Sequence, residues 1–162
     1  MRLCTTLVDG ELLKKLEGLG SKLQIVLSNA MQVDAKTKKK FDENDPARKQ
    51  LKKTAGVKWD RMMPDNHIGH NKFLVYVGKN GPEAVLFGST NWTSTGLCAQ
   101  TNNIVIIDDA KLAKRHLDYW TELARDTKSA NGVAKSLQGP VLRKWDTVGK
   151  GFSVDGSTSL ES

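Results

Sequence analysis

Two apolar, β-branched runs dominate the middle of the chain. Lys72-Phe73-Leu74-Val75-Tyr76-Val77 and Glu83-Ala84-Val85-Leu86-Phe87-Gly88 are separated by Gly78-Lys79-Asn80-Gly81-Pro82. Asn-Gly between such runs is a strong hairpin signal, because both residues tolerate the positive φ that a tight turn demands. A hairpin brings whatever precedes its first strand to the same end as whatever follows its second. Here those segments are His70-Asn71-Lys72 and Ser89-Thr90-Asn91-Trp92. Residues two apart on an extended segment share a face, so His70 goes with Lys72 and Ser89 with Asn91. One patch therefore gathers an imidazole, an ammonium, a hydroxyl and a carboxamide.

The flanking segments predict an α/β fold, a mixed β-sheet flanked by helices on both faces, since short apolar runs alternate with helical patterns. Leu12, Leu13, Leu16 and Leu19 make a helical stripe, with Asp9 as its cap and Gly18 and Gly20 at its end. The chain thus opens on a helix, with little room for a strand before it. Leu23–Leu27 reads as a buried strand. Residues 28–45 are polar and lysine-rich without a period, which predicts a long loop. Asp45 and Pro46 start a helix running to about Ala55, and Val57-Lys58-Trp59 reads as a short strand. Ser89 to Asn102 is a loop, and Asn103–Ile107 a further buried strand. Asp108 or Asp109 caps a last helix to about Arg125, with Leu112, His116, Tyr119, Trp120 and Leu123 at helical intervals. Trp120 is expected in the core. Beyond Thr127 Ser, Gly, Thr and Lys dominate, so residues 1–127 form one lobe and 128–162 a loosely held polar tail or interlobe linker, in which 139–145 is the one piece suited to docking.

Imidazole offers a nucleophile or proton shuttle near neutral pH, lysine offers charge, and hydroxyl and carboxamide offer neutral hydrogen bonds. Such a set can attack phosphorus and hold its oxygens. His70-x-Lys72, followed across the hairpin by Gly88-Ser89-Thr90-Asn91-Trp92, resembles the HxK…GSxN signature of the phospholipase D superfamily, over roughly Leu23 to Arg125. The resemblance implies metal-independent phosphodiester cleavage without a cofactor. One histidine forms a phosphohistidine, and a second, from another copy of the motif, protonates the leaving oxygen and later activates water. Carried over by position, His70 and Lys72 are catalytic, Lys72, Ser89 and Asn91 bind phosphate, and Asn102 and Trp92 support the site. Packing beneath the loop is the preferred role for Trp92.

Two departures stand out. The family motif runs on to an aspartate, as HxKxxxxD, where this chain has Val77-Gly78. Relatives often carry a glutamate about where Asn102 lies. A catalytic imidazole needs a partner on its other nitrogen, here Asn102, a backbone carbonyl or a carboxylate from elsewhere. The histidine count is the other constraint. Only His67 and His116 accompany His70, and neither begins an HxK. The chain is half a site, completed by a homodimer about a two-fold axis or by a second lobe of a longer protein. His67 is expected at the surface or behind the site, His116 in a structural role, and Thr93 and Ser94 in satisfying the loop backbone. No zinc spacing links His67-x-x-His70 to a cysteine, so no metal is expected.

The net charge of +7 is local. Ten Lys or Arg against four acids lie between Ala35 and Arg61. Lys36, Lys38, Lys39, Lys40, Lys49, Lys52 and Lys53 are the candidate nucleic-acid contacts. No apolar run approaches the roughly 18 residues of a membrane span. Cys4 and Cys98 do not make a disulfide framework, and Cys98 is expected as a small buried residue. A reducing, cytoplasmic setting fits; a processed secreted or periplasmic chain fits too. The sequence thus predicts a phosphodiesterase acting on nucleic acid. A binding module with a phosphate cradle and little turnover is the alternative, and a phospholipid hydrolase the third.

Overall fold

The computed structural model describes residues 1–5, 10–52, 57–63, 69–127, 152–154 and 158–160. Six strands make the main sheet: β1 (Arg2–Thr5), β2 (Gln24–Ser28), β5 (Val57–Arg61), β6 (Phe73–Gly78), β7 (Gly81–Gly88) and β8 (Ile104–Ile107). Their order is β5-β2-β1-β6-β7-β8. β5, β2 and β1 run parallel, and β6, β7 and β8 continue antiparallel. The sheet is mixed, as predicted.

Strand periodicity divides the core in two. Ile25 and Leu27 of β2 face α1 (Gly10–Glu17) and α2 (Asp45–Leu51), packing with Leu13, Leu16, Ala47, Leu51 and Trp92. Val26, between them, faces away and packs with Phe73, Val75, Val85 and the α4 residues (Ala110–Thr127) Leu112, Trp120 and Leu123. Helices thus cover both faces. Burying each such aliphatic side chain contributes about 1.5–3 kcal/mol. Asp109 caps α4, its carboxylate accepting from the Leu112 N–H at 2.6 Å.

Six expectations need correcting. A strand does precede the first helix: β1 lies between β2 and β6 in the sheet. Four residues carry no period of their own, and pairing with partners about 20 and 70 residues away decides their state. The polar stretch before α2 is not an open loop but a hairpin of β3 (Met31–Val33) and β4 (Lys40–Asp42). Its turn rests on side-chain chemistry rather than burial. Asp34 Oδ1 accepts from the Lys36 and Thr37 N–H groups and the Thr37 hydroxyl, and Asp42 Oδ1 accepts from Ala30 and Asn44. The helix after it begins at Asp45, with Asn44 in the cap position, and ends at Leu51 rather than near Ala55. The loop after β7 holds a short helix, α3 (Ser94–Cys98), because the Thr93 hydroxyl accepts from the Gly96 N–H; Cys98 on it is exposed, not buried. β8 is an edge strand rather than a buried one, with Ile104, Val105 and Ile106 exposed, Ile106 by 66%. An apolar sequence alone cannot distinguish the centre of a sheet from its rim.

The tail carries one antiparallel pair, β9 (Phe152–Val154) and β10 (Thr158–Leu160). Asp9, Lys53, His67 and residues 139–145 lie outside the described residues. Among the described residues no helix is long and apolar enough to cross a membrane.

Candidate active site

The hairpin of β6 and β7 brings the two motif segments to one end of the sheet, with Phe73 opposite Phe87. β7 ends at Gly88, where a methyl group would collide with the Asn103 carbonyl. Only glycine lets the next residues lie this close to the chain entering β8. Ser89 then fastens the loop. Its N–H donates to Asn103 Oδ1 at 3.0 Å, its hydroxyl accepts from the Asn103 N–H at 3.0 Å, and the same hydroxyl donates to Asn102 Oδ1 at 3.2 Å. Thr90, buried, donates to the Asn103 carbonyl at 2.9 Å.

On the other side of the hairpin, residues 69–72 precede the strand. Lys72 is only 7% exposed, and its ammonium reaches back to the His70 carbonyl at 2.8 Å. A buried ammonium must find acceptors, and this one fixes the backbone that presents His70. The His70 ring itself is exposed. Behind it Gly69 sits against Ser28, where a Cβ would come within 2.7 Å of the Ser28 Cβ. Asn29, just past β2, ties the chain leaving β5: it donates to the Met63 carbonyl at 2.9 Å and accepts from the Met63 N–H at 2.8 Å. Asn44 donates to the Ser28 carbonyl at 2.6 Å.

These pieces enclose an open cleft of about 490 Å³. His70, Lys72 and Asn91 line it, with Asn29, Met31, Gln32, Glu43, Thr93, Ser94, Thr95 and Gln100. Three of the four motif side chains therefore share one cavity. Ser89 is not in its lining; its hydroxyl is engaged with β8. Asn102 holds Ser89 and also donates to the Gly96 carbonyl at 2.9 Å and to Gln100. Trp92 is buried with α1 and α2, beneath the loop. Thr93 both caps α3 and lines the cleft.

Sequence reasoning missed Glu43, the one carboxylate in this lining, and Asn29, which shapes the approach to His70. Neither lies in a motif; their signal is spatial. Among the described residues no group of three or more His, Cys, Asp or Glu is arranged to hold a metal ion.

The basic run divides. Lys36, Lys38 and Lys39 stand exposed at the β3–β4 tip, and Lys40 is in β4. Lys49 pairs with Asp45 at 2.6 Å, and Lys52 is exposed beyond α2. Arg48 is an internal strut: it bridges Asp42 at 2.8 Å and Asp60 at 2.7 Å and donates to the Leu27 and Ser28 carbonyls. Arg48, Asp42 and Asp60 border a second, larger cavity of about 850 Å³ with Phe41 and Met62. His116 lies away from the cleft, donating to the Leu112 carbonyl at 3.0 Å and stacked on Phe87. Burial holds its imidazole below the ordinary value, and the neighbouring Arg115 charge adds to the effect.

Comparison with known proteins meets this geometry from outside. No curated protein sequence matches the chain. Among solved structures it is similar to Nuc of Salmonella typhimurium, a phospholipase D family member, with a TM-score of 0.55 and 20% identity over 75% of this chain and 74% of that one. It is also similar to NucT from Helicobacter pylori, with a TM-score of 0.54 and 12% identity over 76% and 77% of the two chains. Residues 6–124 match the family described as cardiolipin synthase, PLD-like domain. That match takes in both motif segments and every element from α1 to β8, and the chain belongs to the phospholipase D-like domain family.

Proposed function

We propose that the chain is a metal-independent phosphodiesterase acting on nucleic acid through a phosphohistidine at His70. The carrying observation is the shared cleft: an exposed imidazole, a buried ammonium behind it and the Asn91 carboxamide line one cavity. In the first step a His70 nitrogen forms a bond to phosphorus while the bond to the leaving oxygen breaks, and that oxygen takes a proton from a second imidazole. In the second step the second imidazole removes a proton from water, the water oxygen bonds to phosphorus, and the phosphorus–nitrogen bond breaks. Lys72 and Asn91 hold the non-bridging oxygens as their charge rises. Ser89 serves by pinning the loop that carries Asn91. The chain carries one HxK motif, so the second imidazole is assigned to a second HxK motif, from another copy of the chain or a further lobe. The exposed Ile104 and Ile106 of β8, where Ile104 pairs with Gly88 at the motif end, support pairing with a second copy: such a pairing is self-complementary and brings each His70 toward its mate.

A binding module with weak turnover is the second reading, favoured by Val77. It packs against the α4-side core, so the position of the family aspartate is apolar here. The deciding assay follows a chromogenic phosphodiester, a single-stranded oligonucleotide and a phospholipid, each with and without chelator. Release that survives chelator and disappears in His70→Ala, with the oligonucleotide preferred, supports the proposal. Oligonucleotide binding without release of any product supports the module. Preference for the phospholipid refutes nucleic acid as substrate.

A further inference from the structure

The β3–β4 hairpin is an odd piece of structure for a small domain. It belongs to neither core cluster. Its apolar side chains are left in water: Met31, Val33 and Phe41 are all exposed, Val33 by 58%. A hairpin outside both core clusters gains little from packing. Yet its turn is specifically built. Besides the three bonds that Asp34 Oδ1 accepts, the Asp34 N–H donates to the Lys39 carbonyl and the Lys38 N–H to the Asp34 carbonyl, both at 2.9 Å. Lys38 sits at φ 57°, in the left-handed region, which a lysine enters only when its surroundings require it. The base is equally fixed, through Asp42 to Ala30 and through Arg48 to Asp42. What this rigid frame displays is Lys36, Lys38 and Lys39, all exposed.

Its position gives that display a use. Ala30, Met31 and Gln32, at the base of the arm, line the same cleft as His70, Lys72 and Asn91. At about 3.3 Å per extended residue, the four steps from Gln32 to Lys36 reach roughly 13 Å at most. Along one strand of a helical nucleic acid each nucleotide advances about 3.4 Å along the helix axis. The lysine tip therefore stands no more than about four nucleotides beyond Gln32, and fewer where the strand is more extended.

We infer that the β3–β4 hairpin is a preorganised arm that grips the phosphate backbone of a nucleic-acid strand several nucleotides away from the bond being cut, so that the cleft selects polymeric over small phosphodiesters. The inference rests on the phosphodiesterase proposal for its catalytic meaning, and its binding content stands apart from it. A fixed arm loses little conformational freedom on binding, which is the advantage of preorganisation. A lipid headgroup offers one phosphodiester to the cleft and nothing strand-like to the tip.

The test neutralises the tip in the full chain as Lys36→Gln, Lys38→Asn and Lys39→Gln together. The turn's bonds run through backbone groups and through Asp34 and Thr37, so these exchanges leave it standing, and asparagine accepts the left-handed conformation of residue 38. Circular dichroism and thermal melting check the fold. Binding of a labelled 20-nucleotide single strand is followed by fluorescence anisotropy between about 50 and 300 mM salt. Each lost phosphate contact lowers the salt slope by about 0.7, so three lower it by about 2 and weaken binding roughly 10–100-fold near physiological salt. Turnover of a small chromogenic phosphodiester stays within about two-fold of wild type, because no tip side chain enters the cleft, while kcat/KM for the oligonucleotide falls with binding. Unchanged oligonucleotide affinity and salt slope overturn the inference. Equal losses on both substrates overturn it too, since the arm would then be shaping the cleft. A loss confined to phosphatidylglycerol vesicles, with the oligonucleotide unaffected, would assign the arm to a membrane surface instead. If wild type turns over neither substrate, the catalytic proposal fails, and anisotropy still judges the arm.

Discussion

Asn29 offers the sharpest test of how the fold presents His70. It is 6% exposed, and its carboxamide meets the backbone of Met63 twice, at 2.9 and 2.8 Å. In effect the side chain imitates a strand neighbour for the chain leaving β5, and Asn29 itself lines the cleft with His70. Asn29→Ala removes both bonds and leaves the Met63 N–H and carbonyl seeking partners in a part-buried place. Each hydrogen bond is worth about 1 kcal/mol net, and each abandoned partner costs about 1–3 kcal/mol. The expected loss is about 2–4 kcal/mol, or roughly 4–16 °C in melting temperature for a domain of this size. Urea denaturation gives the free energy, with an unchanged m value showing that the native state alone is affected. Asn29→Asp supplies a finer test, since the shape is kept and only the donor is lost. At neutral pH its carboxylate faces the Met63 carbonyl, so it is at least as destabilised as alanine. That contact raises the folded-state pKa of the introduced acid, so the deficit shrinks as pH falls and the carboxyl gains a proton to donate. Phosphodiesterase activity should fall in both variants more steeply than the folded fraction, because Asn29 lines the cleft with His70 and the exchange alters that wall. A stability loss below about 0.5 kcal/mol for Asn29→Ala, or an Asn29→Asp deficit independent of pH, would refute this account.

Other outcomes follow from the same structure. His70→Ala lowers metal-independent turnover at least about 10²-fold while leaving the melting temperature near wild type, since the ring is exposed; mixing it into wild type inhibits more than in proportion if paired copies share the site, as a dilution series of activity against solution mass will show. Gly88→Ala, forced against the Asn103 carbonyl, costs at least about 2 kcal/mol by denaturation and detaches the Asn91 loop. His116 is held below its ordinary value of 6.5 by burial, so the unfolded chain takes up its proton first; stability is full above about pH 6.5 and declines as pH falls toward the folded-state value, and His116→Phe flattens that part of the melting-versus-pH profile.

Local chemistry made much of this protein legible before folding. The Asn80-Gly81 turn between two β-branched runs determined a hairpin, and the hairpin determined that His70-x-Lys72 and the Gly88–Asn91 segment would meet at one end. Helical stripes through Leu13 and Leu16, and through Leu112, Trp120 and Leu123, marked the faces that pack on the sheet. These are short-range signals, set by dihedral preference and side-chain period. Tertiary structure decided what depends on distant partners. β1 is a strand because β2 and β6 lie on either side of it. β8 is exposed because, among the described residues, it is the edge strand of the sheet. Lys72 turns back onto the His70 carbonyl because burial obliges its ammonium to find an acceptor. Ser89 is spent on the chain entering β8, and Arg48 is taken out of the basic run by Asp42 and Asp60. Asn29 and Glu43 reach the cleft only because the ends of β2 and β4 converge there. Residue type and spacing specify which groups are available, but burial and the competition among hydrogen-bond partners, which exist only in the folded chain, decide which of them face the cleft.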